Sequence, residues 1–205
     1  MPYSEFSLAK VKKTFEFTTS EKPALFAATP ELTCSEITGE ILNYNVPLAL
    51  ASNSEKARSE MIITPILIEV RKQLQSQISL FSGIDFTVEQ ELGLNGYCDF
   101  IFSSGLEQLF VSAPVMMLVE AKNEDLKGGI GQCVAEMYAA QIFNLREGQE
   151  ISRIYGAVTS GTNWKFLRLT GKVVEIDLSE YYLASLNKIL GIMVHSIRES
   201  LNLDE

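Results

Sequence analysis

Residues 116–132 read "MMLVEAKNEDLKGGIGQ", an apolar run that closes on an acid and a base two positions apart. Successive side chains of a strand point to opposite faces, so Glu120 and Lys122 share one face, roughly 7 Å apart along the backbone, while Val119 and Ala121 take the other. The reading of the whole chain depends on what else can reach that charged face.

Working outward, "GGIGQCVAEMYAAQIFN" predicts a buried helix rich in small residues just after this strand. Two further strands are expected before it, "FTVEQEL" (86–92) and "GYCDFIFS" (96–103), with the charged strand itself spanning 114–122. Upstream, "SNSEKARSEMIITPILIEVRKQLQSQ" (52–77) carries the longest helical pattern of the first half, with Pro65 set to kink or restart it and Thr64 as a second N-cap. "TCSE" (33–36) has capping-box spacing and predicts a short helix at about 34–44, followed by "NVPLALA" as a connection or short strand. The first 30 residues look like short strands and turns. Downstream, "RIYGAVTSG" and "NWKFLRLTG" predict two strands around a turn, and "SEYYLASLNKILGIMVHSIRESL" a closing amphipathic helix. The order predicts an α/β (α+β) fold in which helices cover a mixed sheet. One domain is expected over 1–205, with a core at about 52–170 and residues 1–51 and a C-terminal helix at about 179–202 packed on it.

Composition narrows the function classes. With 205 residues, 46% hydrophobic and 21% charged, the chain is an ordinary globular one. No apolar run approaches the ~20 residues of a membrane helix, and the N-terminus lacks a secretory pattern. Cys34, Cys98 and Cys133 are odd in number and sit among apolar neighbours, which predicts reduced, mostly buried thiols and a cytoplasmic location. The net charge of −9 argues against nonspecific coating of nucleic acid. The charge is uneven, however: residues 151–172 hold four bases (Arg153, Lys165, Arg168, Lys172) and no acid, so a polyanion would meet a local patch.

Asp99 lies inside the otherwise apolar "YCDFIF", where an ionised group needs compensation. Glu120 repeats the anomaly at the end of the next strand. If the two strands are neighbours, two carboxylates and Lys122 converge at one sheet edge. Such carboxylates repel unless a cation holds them, and an oxygen-rich site of this kind suits Mg²⁺ or Mn²⁺ with waters. Lys122 could then orient or help deprotonate a metal-bound water and neutralise charge on a phosphoryl group.

Asp99 and then "EAK" (120–122), set between a helix bearing Glu60 and a helix bearing Gln132, resembles the PD-(D/E)xK restriction-endonuclease-like superfamily, including its short stand-alone bacterial members. The element order of about 55–170 is similar to that family's core. The resemblance implies Asp99, Glu120 and the Ala121 carbonyl as metal ligands and Lys122 as the residue that positions the attacking water. It further implies Glu60 as a helix carboxylate for a second metal or water, and Gln132 as a polar helix residue facing the site. The family's proline before the aspartate is Cys98 here. The implied activity is metal-dependent hydrolysis of phosphodiester bonds in nucleic acid, DNA foremost, with a homodimer as the arrangement by which many such enzymes cut two strands. RNA or a nucleotide would be served by the same chemistry. A catalytically silent fold acting as a binding or regulatory module in a larger complex is the alternative.

Blander readings stand beside these. Asp99 and Lys122 can form a structural ion pair, Glu60 can belong to a solvated face, and Gln132 can line the helix start. Lys56 and Arg58 read as surface charges. "KGGIGQ" lacks the last glycine of a dinucleotide fingerprint, since Val134 stands there, and close packing on the sheet accounts for its glycines. Tyr155, Trp164 and Phe166 among the bases of 151–172 are expected to pack inward. His195, the only histidine, reads as packing or surface, which leaves no serine or cysteine triad, and no ATP-binding P-loop is present.

Overall fold

The computed structural model describes residues 2–202. Its chain begins with helix α1 (Leu8–Phe15), capped by Ser7 and ended by Glu16 in the left-handed region, and strand β1 (Thr18–Lys22). Helix α2 (Glu36–Ser52) follows, then α3 (Glu55–Arg58), a π-helical turn (Ser59–Ile63) and α4 (Thr64–Gln73). Strands β2 (Ser79–Asp85), β3 (Tyr97–Ser103) and β4 (Val115–Ala121) lead into helix α5 (Leu126–Arg146). The rest is β5 (Ile154–Thr159), β6 (Asn163–Thr170), β7 (Val173–Asp177), the short β8 (Tyr181–Tyr182) and helix α6 (Leu186–Ser200).

The strands form one eight-stranded mixed sheet in the order β1-β7-β6-β5-β4-β3-β2, with β8 beside β6. β4 and β5 are parallel, as are β1 and β7; the other pairs are antiparallel. A parallel neighbour needs a crossover, and α5 supplies it between β4 and β5. Helices cover both faces. On one, α1 and α5 pack over Leu118, Val158, Leu167 and Val174. On the other, α2, α4 and α6 pack over Phe100, Met117, Val119, Ala121 and Trp164. Every residue of β4 is buried, the run expected of a strand covered on both sides. Among the described residues, no helix is long and apolar enough to cross a membrane.

Several expected elements lie elsewhere. "SLAKVKKTF" is helix, not strand and turn: Val11 and Phe15, four apart, bury one face of a segment only two turns long. α2 does not stop at about 44 but runs through "NVPLALA". Pro47 removes a helical N–H, yet both it and Asn43, whose carbonyl it cannot serve, are exposed. Its cap is Ser35, whose side chain accepts from Thr38 N–H. Buried Glu69 of α4 fastens this end by accepting from Ser35 N, Ser35 Oγ, Thr38 Oγ1 and Gln73 Nε2.

The strand expected at 86–92 is instead β2, at 79–85. Residues 86–92 turn back on the chain, with Phe86 N–H donating to Gly96 O and a one-turn helix at Gln90–Leu92. Gly93 and Gly96, at φ +79° and +126°, permit the reversal. Pro65 opens α4 as expected, but Thr64 does not cap it. The Thr64 hydroxyl donates to the Ser59 carbonyl at 2.9 Å. The Met61 carbonyl, which Pro65 cannot serve, accepts from Asn45 Nδ2 at 3.2 Å. The C-terminal helix begins only at Leu186, because Tyr181 and Tyr182 pair with β6.

Candidate functional site

β3 and β4 are antiparallel neighbours, paired at Phe100–Val119 and Ile101–Leu118. The paired register ends there, and the residues just beyond it, Asp99 and Glu120, are near enough for the charge of one to act on the other. Asp99 takes over from the ladder there, its Oδ2 accepting Ala121 N–H at 2.8 Å. The carboxylates thus meet at the ends of two interior strands, not at a sheet edge. A buried main-chain N–H compensates Asp99, and no ion pair of Asp99 with Lys122 is needed to do so.

Alternation along β4 divides the candidates between two faces. Ala121 turns with Asp99 and Glu60 toward a cavity of about 260 Å³ that Glu55, Lys56, Ser59, Thr64, Ser82 and Gly83 also line. The π-helical turn brings Glu60 there; such turns recur at functional positions. Glu60 also pairs with Lys56 at 2.8 Å, so it belongs to a solvated face and to the cavity wall together. Glu120 points the other way, under α5. Its Oε1 meets Lys122 Nζ, confirming the shared face, and Lys122 also donates to Gln132 Oε1 at 3.3 Å.

Gln132 Nε2 donates onward to Glu136 Oε1 at 3.1 Å. Glu136 is fully buried and is the residue that sequence reasoning missed. Its signal was present: an acid inside "CVAEMYAA" is as anomalous as Asp99 in "YCDFIF", and it lies one helical turn from Gln132.

The electrostatics follow from burial. Burial, and then the charge of Asp99, raise the Glu120 carboxyl to about 8 against Lys122, which acts to lower it. Burial, and then Glu120, raise Glu136 well above the ordinary carboxylate range. Burial alone would depress Lys122, but Glu120, Asp99 and Glu55 outweigh it and hold the ammonium above its ordinary value. The shifts of Glu120 and Lys122 pull in opposite senses, since an elevated Lys122 requires an ionised Glu120. The state that serves both keeps the proton on Glu136, which has no cation beside it, and leaves Glu120 to the ammonium.

Among the described residues, no three side chains of His, Cys, Asp and Glu gather into a metal cluster. The fit to a hard divalent ion is therefore that of two carboxylates completed by water and a carbonyl, the smaller protein share that Mg²⁺ accepts. Glu120 Oε2 is buried with no donor besides the Glu136 carboxyl that faces it, and Asp99 engages one oxygen with Ala121, which leaves a cation to compete with the Glu136 proton for Glu120.

Arg58 is not a surface charge. It is buried and donates to Ser160 O (3.1 Å), Thr162 Oγ1 (3.4 Å) and Asn53 Oδ1 (3.0 Å). It thereby ties the helical wall of the cavity to the β5–β6 turn, while Thr159, the last residue of β5, accepts Lys122 N–H at its carbonyl at 2.8 Å. Tyr155, Trp164 and Phe166 pack in the core. Cys98 and Cys133 are buried, and burial foremost pushes both thiols up, away from nucleophilic use. No protein-family model matches the chain, and no curated protein matches it in sequence.

Proposed function

We propose that this protein is a divalent-metal-dependent phosphodiesterase acting on nucleic acid, DNA foremost, with a PD-(D/E)xK type of site. The observation that carries the reading is Glu120: a buried carboxylate with one oxygen on Lys122, the other facing only the Glu136 carboxyl, and Asp99 near enough for its charge to act on it. Asp99, from the cavity side, and Glu120, from the α5 side, are the residues that would hold Mg²⁺ or Mn²⁺ at this end of β3 and β4, with the Ala121 carbonyl as a further ligand. When bound, the ion supplies Lewis acidity and a more acidic water.

The remaining work falls to the chain's own groups. Lys122 stays an ammonium, because its carboxylate neighbours raise it. Its role is to orient water and meet phosphoryl charge, not to accept a proton. Gln132 holds Lys122 in place from the helix. Glu60 stands on the far wall of the cavity, suited to a second ion or a water.

The test is cleavage of plasmid, nicked, flap and four-way-junction DNA, and of single-stranded RNA, with Mg²⁺ or Mn²⁺. Wild type is compared with Asp99→Asn and Lys122→Met. Metal-dependent cleavage lost in both variants is expected; wild-type turnover no greater than theirs ends the hydrolase reading.

A second reading has its own observation. The cavity wall carries Glu55, Glu60 and Asp99 against Lys56 alone, and the chain as a whole is acidic, which disfavours a polyanion. A binding or regulatory module that has kept the fold without the reaction fits that balance. Calorimetry separates the two: absence of Mn²⁺ binding that depends on Asp99 favours the silent module.

A further inference from the structure

Helix α2 presents Ile37, Ile41, Tyr44 and Leu48 to solvent, at 65%, 41%, 77% and 51% exposure. Their spacing of four, three and four residues is that of a coiled-coil seam. The seam is distinct from the face that α2 turns to the core, where Thr38, Leu42 and Ala49 are buried. The sequence therefore gives one helix two apolar faces, and among the described residues only one is covered.

We propose that the exposed face of α2 is a homodimer interface, in which α2 packs antiparallel on α2 of a second copy. Three features select that occupant. The seam is self-complementary, because the repeat that needs a helix is itself carried on one, as a two-fold interface requires. Past its first turn it is also free of charge: no Asp, Glu, Lys, Arg or His occurs from Ile41 to Ser54, so over that stretch two copies of a chain carrying −9 can meet without facing like charges. Finally, the area suffices. The four side chains present on the order of 450 Å² of largely apolar surface, the size of the largest patch on a typical monomer, which is often a functional one. Two copies bury about 1,000 Å² with their rims, the lower bound of a specific interface.

The direction follows from the acids. Glu36 and Glu40 lie at the N-terminal end of α2. Parallel pairing sets them beside their own copies, whereas antiparallel pairing parts them to opposite ends and opposes the helix dipoles favourably. Tyr44, the most exposed of the four, is the aromatic anchor. The interface ends at Asn53, which Arg58 ties to the segment lining the carboxylate cavity, so dimerisation braces that wall.

Sedimentation of the full chain tests this up to about 200 µM, the range of a weak but specific dimer. A concentration-dependent dimer is expected for wild type. Tyr44→Glu and Leu48→Glu, both at exposed positions, are expected to weaken it at least about 100-fold with unchanged circular dichroism. A wild type that stays monomeric overturns the proposal and assigns the seam to a helix of another protein. A dimer that survives both substitutions overturns it by locating the interface elsewhere. Glu36→Gln with Glu40→Gln is expected to leave the dissociation constant within about threefold; tightening of about tenfold or more exposes like charges in a parallel pair and overturns the antiparallel arrangement.

Discussion

Glu136 turns its carboxyl from α5 onto that of Glu120 on β4, and the buried Oε2 atom of each has no hydrogen-bond donor from any other residue. Two carboxyls can share such a place only while one keeps its proton. The pair therefore stores a dependence on pH.

The unfolded chain releases both protons near the ordinary carboxylate value of 4.5, while in the folded chain the pair keeps one proton, on Glu136, well above the ordinary range. Above 4.5 the folded state binds the extra proton, so this contribution to stability is full below 4.5 and is lost as pH rises through the raised value of the pair. The expected result, without added metal, is a melting temperature that declines from pH 5 to pH 8.5. Glu136→Gln removes one carboxyl and offers an amide donor to Glu120 Oε2, so its decline is shallower. Equal slopes for wild type and variant, measured by circular dichroism in matched buffers, would show that the pair does not share a proton.

Asp99 has a structural duty separable from any chemistry. Asp99→Ala leaves the N–H of buried Ala121 without its acceptor, at a cost of about 1–3 kcal/mol. Asp99→Asn keeps an oxygen in the same place and should lie within about 1 kcal/mol of wild type. Urea unfolding ranks them. If both lose equally, the amide does not replace the carboxylate as acceptor, and only then does Asp99→Asn cease to be a clean probe of metal binding and turnover.

How much of this was legible in the chain depends on the range of the interactions involved. The mixed sheet and its helical cover followed from periodicity, and the shared face of Glu120 and Lys122 followed from strand alternation alone. What failed was set by partners distant in sequence. The exchange of 86–92 for 79–85 as the strand was decided by which segment β3 could pair with, and the persistence of α2 through Pro47 by packing of Leu42 and Ala49. Glu136 was passed over because a single acid in a helical run is ordinary until the helix is known to be buried. Arg58 misled for the same reason, its acceptors lying about a hundred residues onward in the β5–β6 turn.

That turn makes Arg58 a prediction of its own. Arg58→Ala strips donors from Ser160 O, Thr162 Oγ1 and Asn53 Oδ1, and charge-assisted bonds of this kind in a buried place make a loss of about 2–4 kcal/mol the expectation. Arg58→Lys recovers part of it, since one ammonium cannot span the same acceptors. Unfolding in urea measures both, and a change below about 0.5 kcal/mol for Arg58→Ala would return the residue to the surface role that its sequence context suggests.

The glycines of "KGGIGQ" separate packing from phosphate binding. A Cβ on Gly131 would stand 2.3 Å from Phe6 O and Ser7 C and 2.4 Å from Leu8 N, all backbone atoms that cannot rotate away. Gly131→Ala should therefore cost at least about 3 kcal/mol. Gly129 faces the sheet and the lysine instead: its Cβ would meet Val158 Cγ1 at 2.7 Å and Lys122 Cγ and Cε at 3.1 Å. Val158 is fully buried and β-branched, so it yields only by repacking at a cost of about 1–3 kcal/mol; alanine's gain of about 1 kcal/mol in helix propensity offsets part of this, and a net loss of about 0–2 kcal/mol is expected. The price falls on the position of Lys122, and with it on turnover, while affinity for nucleic acid is kept. If Gly129→Ala instead abolishes nucleic-acid binding in a gel-shift titration with stability intact, the free N–H groups of the helix start are cradling a phosphate, and packing is not why these residues are glycine.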